Sequence, residues 1–541
     1  MNKNQKPSEI TETIERIPTI RYRLVLEGAL IGAVTGGVVS VFRLGLTNAE
    51  SLRGSVLVFA KESAGHAALA IALLLVLCAA AWLILRIEPM VGGSGIPQVK
   101  GELVGRMFMN WWRVLLAKIA GGVVCIGAGL SLGREGPSIQ IGAMVGKGIA
   151  RLTHRLATEE KLMITCGAGA GLAGAFCAPL AGVVFSLEEL HKNFSTDILL
   201  ATMSSCIASD FVAYYIFGLT PVFDLSIEHV LPLRHYWLLV IFGVLMGAFG
   251  VFYNRMTEIL QNLFARIPHR SIRLLIPFLL VIPLSVFEPE ALGSGHALVH
   301  QTADGEFLVK ALVVLLIVKF LFSITSFASG APGGIFLPLL VIGGVSGGLF
   351  LQTAGVKCGV DEWFLVNFVT YGMVGYFAAI VRSPVTGVIL ITEMAGSFGN
   401  FLSLSVVAFA AYVTADLLGG QPIYEQLLSR MLSGTSSYGM TRQLKKQKIL
   451  LESDVYVGSM MDGAPLSRMH LPQGCLVISV FRGITEIVPD GSTILQGGDQ
   501  LTVLCDEGDM DAVNEKLDRI CRVILQQTDP EGSAYVDHSQ K

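Results

Sequence analysis

The sequence predicts an all-α polytopic membrane protein of two inverted halves with broken helices, followed by a small α/β cytoplasmic domain. Three observations carry this expectation: an apolar composition, three motifs that recur at nearly one spacing, and a change of composition near Thr435. Of 541 residues, 52% are hydrophobic and 15% charged, against roughly a quarter charged in an ordinary soluble domain. Mean hydropathy is +0.62.

Crossing a bilayer takes about 20 apolar residues per helix. The stretches 25–46, 66–87, 114–132, 198–217, 236–252, 309–327 and 401–418 qualify or nearly do. Roughly ten to thirteen such segments are expected in all, with soft boundaries. The first 24 residues are polar and charged, which predicts a cytoplasmic segment, with an interfacial helix over 10–23 and no cleavable signal peptide. Arg16, Arg21 and Arg23 precede the first apolar run, and Arg442, Lys445, Lys446 and Lys448 follow the last. Positive charge beside spans favours the cytoplasm. The expectation is therefore a cell inner (plasma) membrane protein with both termini cytoplasmic and an even number of crossings.

The membrane part is predicted over 25–432, with repeats at about 25–217 and 236–424. Gly-Ser-Gly occurs at Gly93-Ser94-Gly95 and again 200 residues later at Gly293-Ser294-Gly295. Gly-x-x-Gly recurs from Gly133 to Gly330, an offset of 197 residues. Ala178-Pro-Leu-Ala-Gly resembles Ser383-Pro-Val-Thr-Gly, 205 residues on, and each run leads to a glutamate. Two such halves suit a transporter whose broken helices meet near the midplane. Helix N-termini carry free N–H groups and partial positive charge, so an anion should bind there.

Individual motifs give the chemistry. In Gly92-Gly-Ser-Gly-Ile-Pro97, dense Gly and Pro interrupt a span. Irregular backbone at that depth must be buried in protein or line a wet cavity. Its N–H groups and the Ser94 hydroxyl suit an anion; the same residues also suit close helix packing. Gly133-Arg-Glu-Gly-Pro137 places an ionisable pair inside a span, a functional hypothesis by default. Glu135, when charged, competes with an anion; protonated, it withdraws and carries a proton. A structural Arg134–Glu135 pair is the plainer reading. Gly167-Ala-Gly-Ala-Gly reads as a packing face, and the helix behind it ends in Glu188 and Glu189. These are candidate proton entry points or an unremarkable solvated helix end. Ser329-Gly-Ala-Pro-Gly-Gly-Ile-Phe-Leu-Pro338 suggests a helix N-terminus at Ile335 and Phe336. Tyr424 has a hydroxyl that can donate to an anion, or it is an interfacial anchor.

Gly-Ser-Gly-Ile-Pro, Gly-Arg-Glu-Gly-Pro and Gly-Gly-Ile-Phe-x-Pro, in this order, resemble the CLC family of chloride channels and chloride/proton antiporters across about residues 20–432. The resemblance implies a homodimer with one pore per subunit. Ser94 and Gly95 in the first motif, the backbone N–H groups of Ile335 and Phe336, and the Tyr424 hydroxyl would bind chloride. Arg134 and Gly136 would supply an outer site beside Glu135, the external gate and proton acceptor. Glu189, with Glu188 beside it, would transfer protons on the inside, and Lys118 would add positive potential. A serine at position 94 favours chloride over nitrate or fluoride. The sequence departs from the family where Gln98-Val-Lys100 replaces a more acidic segment, and the loop between the second and third motifs is slightly shorter.

The run after Ser433 is expected to be a linker over 433–449, then a regulatory domain over 450–526 and a disordered tail over 527–541. Strand patterns at 475–481, 485–488 and 500–505, separated by turns, precede a helix pattern at 510–524. Leu471-Pro-Gln-Gly-Cys475 and Val488-Pro-Asp-Gly-Ser-Thr493 resemble the RCK C-terminal (TrkA-C) module. That resemblance implies self-pairing and an unknown small ligand, or passive dimerisation.

Chloride exchanged for protons is the function these features predict; a passive voltage- or pH-gated chloride channel is the alternative. No nucleic-acid partner is expected at a net charge of −3. Nine scattered Cys without C-x-x-C argue against a disulfide framework or zinc site, and no cofactor is expected. Cys78 and Cys166, inside apolar runs, read as packing residues. A potassium filter would need Thr-Val-Gly-Tyr-Gly, and the sequence has none. No nucleophile–base pair points to an enzyme.

Overall fold

The computed structural model describes residues 9–192, 196–219, 222–223, 225, 227, 229–434, 448–469, 471, 475–483, 485–506 and 510–522. It divides into two compact units, Met1–Ser433 and Gly434–Lys541. Each has its own apolar core.

The first unit is helical. Its first half comprises α1 (Glu9–Ala60), α2 (Ala64–Ile87), α3 (Ile96–Leu103), α4 (Trp111–Gly127), α5 (Glu135–Leu152), α6 (Ala157–Phe176), α7 (Pro179–Phe185) and α8 (Thr196–Phe217). The second half comprises α9 (Tyr236–Ala265), α10 (Arg270–Phe287), α11 (His296–Ala303), α12 (Val309–Ala328), α13 (Phe336–Phe350), α14 (Leu365–Val381), α15 (Pro384–Ala395) and α16 (Phe401–Leu417). A last helix, α17 (Ile423–Gly434), follows.

Every apolar stretch named above falls in a helix, with differences that have local causes. The expected interfacial helix over 10–23 is not separate: α1 runs straight through into the first span. No Gly or Pro lies between 19 and 27 to end it. The stretch 114–132 is helical only to Gly127, because Gly129 turns left-handed at φ +103°. Eight helices among the described residues are long and apolar enough to cross a membrane, fewer than the count expected from sequence. The apolar α15 and α16 are shorter. The protein is a multi-pass membrane protein.

The halves match element by element. Each of the short helices α3 and α11 begins directly after a glycine in left-handed backbone, Gly95 at φ +99° and Gly295 at φ +82°. Only glycine takes that conformation at no steric cost, so each chain can turn sharply inside the bundle and start a new helix there. A deeper sign of symmetry lies between α7 and α15. Glu188 accepts from the N–H groups of Val385 (3.4 Å) and Thr386 (2.8 Å) at the start of α15. Glu393, at the end of α15, accepts from the N–H groups of Leu180 (3.0 Å) and Ala181 (2.8 Å) at the start of α7. Such reciprocity is what a two-fold relation produces. A carboxylate also suits the positive end of a helix.

The second unit is a four-stranded antiparallel sheet, β1 (Lys448–Asp454), β2 (Leu476–Arg482), β3 (Thr485–Ile487) and β4 (Asp499–Asp506), in the order β1-β4-β2-β3. Helix α18 (Met510–Leu517) packs on β1 and β4, and its Val513 and Leu517 join the buried cluster that holds Leu451, Leu501 and Val503. Strand β1 was not expected, because the charged residues Glu452 and Asp454 mask its apolar alternation. The helix expected over 510–524 is formed by α18 and a π turn, Asp518–Arg522, and its last two residues lie outside the described ones. The expected linker lies almost wholly outside the described residues, as does the expected disordered tail.

Candidate functional site

Three loops meet where α3, α5 and α13 begin. Gly93 donates to Ala331 O (3.2 Å), and Gly333 donates back to Gly93 O (3.1 Å). Gly133 and Gly334 exchange both backbone hydrogen bonds, at 2.6 and 2.8 Å. The Gly93 and Gly133 motifs of one half are thus laced to the Gly-Gly motif of the other. The first N–H groups of a helix have no partner within it, and here several such ends point inward together.

The Ser94 loop is braced so that its carbonyls turn away. Gln140 Nε2 donates to Met90 O (3.0 Å) and Gln98 Nε2 to Gly92 O (2.6 Å). Lys118 Nζ, fully buried, donates to Val91 O (3.0 Å) and Gly93 O (2.7 Å). Four successive carbonyls, which would repel an anion, are therefore occupied. Gly136 lies directly against Ser94; any Cβ at 136 would collide with the Ser94 hydroxyl and carbonyl.

Glu135 opens α5 and is completely buried. Its Oε2 accepts from the Leu337 N–H in the first turn of α13, at 3.3 Å. The carboxylate thus sits on a helix N-terminus that would equally receive a halide. Its other oxygen has no hydrogen-bond partner among the described residues, and neither do the buried Ser94 Oγ and Tyr424 hydroxyl. Unsatisfied buried polar atoms are costly and ask for an explanation; a bound anion would satisfy the two hydroxyls. Ile335 caps α13 and Phe336 begins it, both fully buried. The Phe336 ring packs on Phe377 (4.7 Å) and Phe176 (5.5 Å). Arg134 does not pair with Glu135 among the described hydrogen bonds. It lines a cavity of about 280 Å³ with Glu50, Ser294, His296 and Leu337, which brings that cavity up against the Glu135 site.

On the other side, Glu189 is 3% exposed in the π turn Ser186–His191. Its Oε1 accepts from Lys100 Nζ (2.8 Å) and its Oε2 from Ser383 Oγ (3.2 Å). Tyr424, in the first turn of α17, is completely buried. Glu188 points elsewhere, to the start of α15.

Sequence reasoning missed four supporting residues. Gln98 and Lys100 were noted only as departures from the family pattern, and Gln140 has no local signature. Lys319 is the counterpart of Lys118: fully buried, it donates to Ala291 O (2.9 Å) and Gly293 O (2.8 Å). A lysine 201 residues beyond Lys118, inside an apolar helix, was the available signal.

The family model described as voltage gated chloride channel matches residues 73–416, and that described as TrkA-C domain matches 450–518. The chain is similar to the H(+)/Cl(-) exchange transporter ClcA of Citrobacter koseri, 33% identical over 423 residues, covering 76% of this chain and 89% of that protein. It is 35% identical to the ClcA of Cronobacter sakazakii over 364 residues, covering 65% and 77%. Among solved structures, a slow cyanobacterial Cl−/H+ antiporter matches with TM-score 0.73 at 29% identity, over 77% of this chain and 99% of that one. A CLC-type fluoride/proton antiporter matches with TM-score 0.63 at 19% identity, over 76% and 98%, and shares the fold alone.

Proposed function

The chain belongs to the CLC family, and from that premise we propose that it is a secondary active transporter exchanging chloride for protons. One observation carries the reading: the Glu135 carboxylate accepts from the Leu337 N–H in the first turn of α13, in a site where the buried Ser94 and Tyr424 hydroxyls lack partners among the described residues. Chloride and the charged carboxylate compete for one set of donors. Protonation of Glu135 removes its charge, releases the donors to chloride and loads the proton that moves the other way. Ser94, Gly95, Ile335, Phe336 and Tyr424 hold the central ion, and Arg134 and Gly136 the outer one. Lys118 supplies positive charge behind the Ser94 loop. Glu189 passes protons from the cytoplasmic side. Glu188 is left out of this route, because its carboxylate caps α15.

Relatives named as exchange transporters, and the buried Glu189, favour coupled exchange over a passive channel. The same reading takes the protein as a homodimer in the inner membrane, with both termini cytoplasmic, no cofactor and a ligand-responsive C-terminal domain. It is tested in liposomes under an outward chloride gradient, with membrane potential clamped at the proton equilibrium potential. Protons driven inward support exchange, and Glu135→Gln should abolish that movement while chloride still flows. Chloride efflux with no proton signal in the unmodified protein would mean a channel.

A further inference from the structure

Glu189 does not face open water. Between it and the surface stands Lys100, on α3, itself 5% exposed. Its ammonium lies 2.8 Å from Glu189 Oε1 and 3.6 Å from Glu425 Oε1, on α17. The Glu425 side chain is 40% exposed and is also paired with Lys192. From solvent inward the order is Glu425, Lys100, Glu189.

We propose that Lys100 is a positioning residue that holds Glu189 as a carboxylate and so sets the cytoplasmic pH at which protons enter. The proposal rests on the reading of Glu189 as the internal proton-transfer group. An ammonium in hydrogen-bond contact favours the charged form of a carboxylate, and the pair is too buried for solvent to screen it. The ammonium is shared: Glu425 draws it away from Glu189, while Lys192 occupies part of Glu425. The remaining groups around Glu189 are Ser383 before α15, Tyr424 on α17, and Glu188 and His191 in its own turn. Of these only Lys100 places a positive charge in contact with the carboxylate; Lys192 acts on it from farther off. A proton that reaches Glu189 must therefore displace the Lys100 contact.

The test uses the full-length protein in liposomes, measuring proton and chloride flux together as the cytoplasmic-side pH is varied. Lys100→Met should move the midpoint of proton flux to higher pH by roughly one to three units. Lys100→Arg should keep it near its original place. Glu425→Gln should move it the other way, to lower pH, because the ammonium then belongs to Glu189 alone. A Lys100 that only props the fold would change rate or yield without moving the midpoint, and that result overturns the proposal. If Lys100→Met does not fold, an unmoved midpoint in Glu425→Gln overturns it instead. Glu189→Gln separates the two ideas. Coupling that survives Glu189→Gln sinks the underlying role of Glu189, whereas lost coupling with unmoved midpoints elsewhere sinks the Lys100 inference alone.

Discussion

Tyr424 and Ser94 each keep a hydroxyl buried with no partner among the described residues. A folded chain does not gain stability from such a group, so the hydroxyls are informative about binding. Tyr424→Phe removes one oxygen and leaves the ring packed. Hydrogen bonds to charged groups contribute about 1.5–3 kcal/mol, so chloride affinity should fall about tenfold or more, while thermal stability stays the same or rises. Calorimetric titration with chloride, beside a melting curve, checks both. Unchanged affinity would remove Tyr424 from the ion's coordination. Ser94→Ala should behave alike. Ser94 was legible in the sequence because Gly and Pro flank it at positions no membrane helix would choose. Lys100 was not, since its meaning depends on Glu189, 89 residues away, and no local pattern links them.

At the scale of elements, the two halves solve one problem twice. A loop that breaks a span leaves carbonyls in a dry interior, and each half inserts a lysine to satisfy them: Lys118 for the loop before α3, Lys319 for the loop before α11. Leaving a buried acceptor unpaired costs roughly 1–3 kcal/mol, and each lysine serves two. Lys319→Met and Lys118→Met should therefore both lower the melting temperature in detergent by similar amounts. Only Lys118→Met should also weaken chloride binding, because its loop carries Ser94. Equal loss of binding in Lys319→Met would mean that the loop before α11 also shapes the ion site. The repeat itself was visible in sequence through its motifs. The mutual capping of α7 and α15 was not, because Glu188 and Glu393 act on residues about 200 positions away. Strand β1 was hidden for a different reason: its acidic residues break the alternation that betrays a strand.

At the scale of the whole molecule, two units with separate cores invite the expectation that each folds alone. The C-terminal unit has a further property that can be read from its carboxylates. Burial works against the charge on Asp499, but the two-pronged Arg482 contact (2.8 Å each) and the Gln496 N–H hold it below the usual carboxylate range. Backbone N–H groups of Gly458 and Gly497 lower Asp462, and the hydroxyls and N–H groups of Ser492 and Thr493 lower Asp490. Each folded-state value lies under its unfolded one, so each contribution is complete above the unfolded pKa and is lost as pH falls through the folded one. An isolated 434–541 fragment should hold a constant denaturation midpoint near neutrality and lose stability below about pH 4. Arg482→Ala should flatten that acid dependence by taking away the main support of the Asp499 charge. Urea melts followed by circular dichroism across pH give the answer. A fragment as stable in acid as at neutrality would show that these carboxylates are equally solvated in both states, and the Arg482–Asp499 pair would then not be what ties β2 to the start of β4.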